Sequence, residues 1–143
     1  MRPRFFITVA AAALWACATD PASETAKSCR PLGAPTIVYF DWDRVDITPP
    51  AGQALDSFAA SVARQGANVL VQGHSDTEGS ATYAMGLSER RAASVRDYLI
   101  ARGVPAGAVF TEAYGSSRLV VQTGPGVREP QNRRAEIYAC PAA

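Results

Sequence analysis

Only one histidine, His74, and three cysteines, Cys17, Cys29 and Cys140, occur in 143 residues. Two or three cysteines with one distant histidine do not make a tetrahedral zinc set, so no metal is expected. Neither charge sign is in excess: 14 basic and 13 acidic residues leave a net charge of +1. That excludes a surface built to neutralise nucleic-acid phosphates. No apolar run reaches the 18 or so residues of a membrane-spanning helix. The chain has no G-x-S-x-G elbow and no cofactor-binding glycine loop. The adjacent His74, Ser75 and Asp76 cannot form a catalytic relay in a strand, because alternation turns Ser75 away from its would-be base. The chain therefore reads as a non-enzyme with no cofactor.

What is present begins with export. "MRPR" followed by the 12-residue run "FFITVAAAALWA" has the basic start and short apolar core of a signal peptide. "LWAC" is similar to a bacterial lipobox, with Cys17 as the lipidated residue, although Trp15 stands where a small residue is usual. "ACA" also fits ordinary cleavage after Ala18. Acyl chains on Cys17 would hold the protein to a membrane, since two or more chains anchor stably. Either cut removes Arg2 and Arg4 and leaves 12 basic against 13 acidic residues. Cys29 and Cys140 then remain as an even pair in an oxidising compartment. A disulfide or two free thiols are the alternatives.

The organisation reads as a signal peptide and lipobox over 1–17, a small, polar, proline-rich tether over 18–34, and one domain over 35–143. "TIVYF" at 36–40 predicts a buried strand. Thr48 caps a helix that starts with Pro49, lays Ala51, Leu55, Phe58 and Val62 on a core, and stops at Gly66. "NVLVQG" predicts a second strand. A second long helix is expected from a Ser88 cap to Gly103, with Ala92, Val95 and Leu99 inward. "AVFTEAYG" and "RRAEIYA" predict two more strands around a loop at 115–131. The class is α+β: β-α-β-α-β-β, a mixed four-stranded sheet with two long helices on one face.

On that register Arg91 sits in the first helical turn, where free N–H groups and the positive dipole end seat anions. Its fork suits a carboxylate. Asp76, at the strand's C-terminal end, offers a seat for an ammonium. The pair would select a zwitterionic amino-acid terminus, or would simply form a structural salt bridge. Arg90 and Arg96 read as solvated helix positions. Trp42, Tyr83 and Tyr114 read as packing residues or as platforms for sugars.

"GHSDTEGSATYAMGLSERRAASVRDYL", then "AYG" and "NRRAEIY", resembles the OmpA-like C-terminal domain, a family that includes Pal lipoproteins and the periplasmic part of MotB. The resemblance covers about residues 36–139. It implies noncovalent binding of peptidoglycan through the meso-diaminopimelate side chain of the stem peptide. It places Asp76 on the amino group and Arg91 on the carboxylate. Asp43 falls at the pocket rim or caps a loop, Leu87 lines the pocket, His74 belongs to the same motif, and Asn132 and Arg133 lie beside it. Two positions depart from the family pattern: Ser75 replaces a threonine, and Ala84 replaces an asparagine. The asparagine's loss removes a polar contact worth about 0.5–1.5 kcal/mol. Ala18 after Cys17, where aspartate marks inner-membrane retention, points to the outer membrane, facing the periplasm; cleavage after Ala18 would give a soluble periplasmic protein. Tol-type envelope proteins are the partners that a Pal would meet. The alternative is a protein-interaction module of the envelope with weakened peptidoglycan binding.

Overall fold

The computed structural model describes residues 29–142. The signal peptide, Cys17 and the first part of the tether lie outside them. Four strands and two helices run in the order β1 (Thr36–Tyr39), α1 (Pro49–Gln65), β2 (Asn68–Gly73), α2 (Ala81–Ala101), β3 (Val109–Ala113) and β4 (Arg134–Cys140).

Helix α1 follows its local signals from cap to cap. The Thr48 hydroxyl accepts from the Ala51 N–H at 3.4 Å, Pro49 and Pro50 fill the first positions, and Gly66 ends it at φ 61°. Ala51, Leu55, Ala59 and Val62 are buried, and Phe58 packs half-buried at the margin. Strand β2 also lies where the sequence put it.

Helix α2 differs from expectation. Its cap is Ser80, eight residues before Ser88, whose hydroxyl accepts from the Tyr83 N–H at 3.1 Å. Both serines have cap chemistry. Packing decides between them: the buried stripe runs back from Val95 through Arg91, Leu87 and Ala84 at i+3 and i+4 spacing. Ser88 is fully buried in mid-helix. Its hydroxyl donates to the Met85 carbonyl at 2.8 Å and accepts from the Gly115 N–H at 2.9 Å. Strand β2 ends in Gly73 for the same reason, because any Cβ there would drive into the Ser88 carbonyl oxygen.

The sheet order is β1-β4-β2-β3. β2 and β3 pair in parallel across the α2 crossover, while β4 is antiparallel to both β1 and β2. The last strand therefore separates β1 from β2. This leaves β1 at an edge: Val38 is buried, but Ile37 and Tyr39 are exposed, so the expected buried strand is covered on one face only. Both helices pack on one face, over Val38, Val69, Val71, Ala135 and Ile137.

Cys29 and Cys140 form a disulfide with Cα atoms 5.4 Å apart. The Leu32 N–H donates to the Ala139 carbonyl at 2.9 Å. The segment read as tether is thus pinned to β4 from Cys29 onward. Cys140 pairs with Asn68, so the clamp sits at the sheet edge where β2 begins.

Candidate functional site

The opposite edge gathers the chemistry. β1 and β2 end there and β4 begins there, with Tyr39 opposite Arg134 and Gly73 opposite Ala135. Three segments meet beyond it: the turn 40–44 after β1, the turn 74–79 after β2, and the loop 114–133 between β3 and β4. The buried face of α2 forms the floor.

Arg91 is the eleventh residue of α2, not part of its first turn. The anion seat expected from the helix dipole is therefore absent at this residue, since that effect is confined to the terminal turn. The side chain is fully buried. Its Nε donates to the Arg44 carbonyl at 3.1 Å, Nη1 to the His74 carbonyl at 3.2 Å and Nη2 to the Asp41 carbonyl at 3.3 Å. The guanidinium also lies 5.3 Å from the centroid of the Phe40 ring. Burial lowers its pKa to about 10, opposed by the nearby Asp76 and Asp43 carboxylates and reinforced by Arg133. It remains charged at neutral pH.

Asp76 is 4% exposed. Oδ1 accepts from the Glu78 N–H at 3.3 Å and Oδ2 from the Glu129 N–H at 3.2 Å. Its ion pair is with Arg133, 3.6 Å away, and Arg133 Nε donates to the Phe40 carbonyl at 3.1 Å. Among the described residues, no ion pair joins Asp76 to Arg91. The structure brings the two charges to one edge of the sheet but encloses both; the open seat expected from the sequence is closed.

The other residues divide by role. Leu87 is buried on α2. Asp43 is exposed at the rim, in a turn where it adopts φ 54°. Asn132 is fully buried, accepts from the Val120 and Val121 N–H groups and donates to the Val121 carbonyl. It organises the long loop. His74 reaches Arg91 only through its carbonyl. Its ring stacks on Tyr114, with centroids 5.5 Å apart, on the sheet face away from the helices. Both ring nitrogens are buried without a partner, and burial lowers its pKa to about 4. Arg134 serves that same far face, pairing with Glu136 at 2.8 Å. Ala84 is buried where α2 meets the Gly115 turn.

Two residues, Glu78 and Arg128, escaped the sequence reading, and they meet at Trp42. Trp42 is half exposed rather than packed in a core. The Arg128 guanidinium lies 3.6 Å from its ring centroid, and Arg128 Nε pairs with Glu78 Oε1 at 2.7 Å. The Trp42 indole N–H donates to the other oxygen of Glu78. An exposed tryptophan close to acidic and basic residues was the available signal, but their separations along the chain hide it.

The OmpA family profile matches residues 39–133. The chain belongs to the OmpA family. This OmpA-family chain is 44% identical over 108 residues to an outer membrane protein of Gluconacetobacter diazotrophicus, covering 71% of the chain and 29% of that protein. It is 38% identical over 106 residues to the peptidoglycan-associated lipoprotein of Pseudomonas aeruginosa, covering 74% and 63%. The chain thus matches less than two-thirds of either relative's length. The crystal structure of the peptidoglycan-associated lipoprotein from Burkholderia pseudomallei superposes with a TM-score of 0.68 at 27% identity, over 73% of this chain and 89% of that one. The OmpA-like α+β sheet expected from the sequence is the fold found. Cys29 and Cys140 lie outside the matched range, so the disulfide clamps the OmpA domain from its flanks.

Proposed function

We propose that the chain is a noncovalent peptidoglycan-binding lipoprotein of the outer membrane. Asp76 would take the ammonium and Arg91 the carboxylate of a stem-peptide diaminopimelate side chain, with Arg133 and Asp43 adjusting charge at the rim. The observation that carries the reading is a fully buried guanidinium whose hydrogen bonds go only to backbone carbonyl oxygens. Three of its five N–H groups are committed, and no carboxylate stands within ion-pair distance among the described residues. Burying an uncompensated cation is costly, and a ligand carboxylate would relieve that cost. The relatives named peptidoglycan-associated lipoprotein support the same ligand class. Lipid on Cys17 would hold the membrane end; replacing Cys17 with alanine would then release the protein from membranes.

Co-sedimentation with purified sacculi tests the site. Asp76→Asn keeps the shape and removes the charge, and should leave most of the protein in the supernatant. Arg91→Ala should weaken pelleting more than Arg90→Ala, because Arg90 is exposed. A melting curve must accompany it, since three carbonyls lose their donor. The closed seat favours a second reading: an envelope protein-interaction module, with Tol-type proteins as partners, in which peptidoglycan binding is weakened. Wild-type protein that stays in the supernatant, unaffected by Asp76→Asn, would select it.

A further inference from the structure

The rim of the seat is made of three segments far apart in sequence, and one side-chain cluster ties all three together. Trp42 comes from the turn after β1, Glu78 from the turn after β2, and Arg128 from the long loop before β4. The Arg128 guanidinium stacks on Trp42 and pairs with Glu78, and the Trp42 N–H closes the triangle onto Glu78. Backbone bonds beneath the cluster pull the same loop down. The Gly126 N–H donates to the Thr77 carbonyl at 2.9 Å, the Val127 N–H to the Thr77 hydroxyl at 3.2 Å, and the Glu129 N–H to Asp76 Oδ2 at 3.2 Å. That last bond occupies the carboxylate oxygen nearest Arg133. The acid proposed to bind the ligand is thus engaged by the loop that the cluster holds in place.

We propose that Trp42, Glu78 and Arg128 form a clasp that holds the rim shut over Asp76 and Arg91, so that ligand enters only when it opens. The proposal deepens the peptidoglycan reading and rests on it. Its chemistry suits a gate. The cluster lies at the surface, Arg128 and Trp42 being about half exposed, where stacking and ion pairing are weak and reversible. A closed state lowers apparent affinity by the fraction of molecules that are open, so loosening the clasp should tighten binding.

The test uses the intact chain, with Arg128→Ala and Trp42→Leu as independent variants, and reads two quantities. Amide hydrogen exchange at Gly126, Val127 and Glu129 should quicken in both variants while the β2 amides stay protected. Half-saturation of purified sacculi should fall by roughly fivefold, the scale of one exposed cation–π contact with one exposed ion pair. Unchanged rim amides overturn the clasp. So does unchanged or weaker sacculus binding by Arg128→Ala in a protein whose wild type binds, since Arg128 would then be idle or a ligand contact. If wild type and Asp76→Asn alike fail to bind sacculi, the peptidoglycan reading has failed instead. The ligand gate falls with that reading, and the rim closure alone is then decided by the amides: faster exchange shows that the cluster holds the rim shut and unchanged exchange refutes it.

Discussion

Acidification should destabilise this domain through His74. The ring is buried, neither nitrogen has a hydrogen-bond partner, and its pKa falls from 6.5 to about 4. Burial is the largest cause; the Arg134 charge on β4 and the Arg118 charge on the long loop add to it, while Glu136 opposes it. Tyr114 packs against the ring. Between those two pKa values the unfolded chain binds a proton that the folded chain refuses, so stability rises with pH across the window and is lost as pH falls. The gap of 2.5 pH units, at about 1.4 kcal/mol each, sets a full loss of about 3.5 kcal/mol. About 2 kcal/mol of it should be gone by pH 5. Urea unfolding of oxidised protein at pH 7.5, 6.5, 5.5 and 5.0 measures it. His74→Phe keeps a ring against Tyr114 and forfeits no hydrogen bond, so it should flatten the slope over this range. Parallel losses in wild type and His74→Phe would show that the histidine is not the titrating group and would refute the reasoning.

The other perturbations follow from geometry. Replacing Cys29 and Cys140 with serine opens a link spanning 111 residues, which in the chain-entropy model contributes about 4–5 kcal/mol. Thermal melting with and without reductant should reproduce that loss in the native pair. Gly73→Ala should cost about 3 kcal/mol or more, because β2 cannot withdraw from the Ser88 carbonyl without unpacking α2. Denaturant unfolding checks it, and a loss under 1 kcal/mol would mean that the approach relaxes cheaply.

The candidate site was half legible. The acid and the guanidinium were found by motif, and they do lie at the same sheet edge. The error was one of depth. Reading Ser88 as the cap placed Arg91 in an exposed first turn; the helix that starts at Ser80 carries it into the interior. The stripe of Ala84, Leu87 and Arg91 was visible, but it is interrupted by polar residues and by Gly86, and a second plausible cap interrupted it sooner. His74 shows the same limit. Strand alternation does not reach it, because β2 ends at Gly73, and only the tertiary structure shows that its ring stacks on Tyr114.

Local chemistry determined what lies within a few residues. The Thr48-Pro49 start and Gly66 stop of α1, the span of β2 and the even cysteine pair all rest on single-turn geometry or simple composition, so the chain reveals them unaided. Tertiary structure decided the insertion of β4 between β1 and β2, the choice of Ser80 over Ser88, and the enclosure of both charges. The physical reason is distance along the chain. Arg91 is held by carbonyls 47, 17 and 50 residues away, and Arg128 reaches Glu78 across 50. Such contacts exist only after the sheet has ordered its strands and brought those segments to one edge.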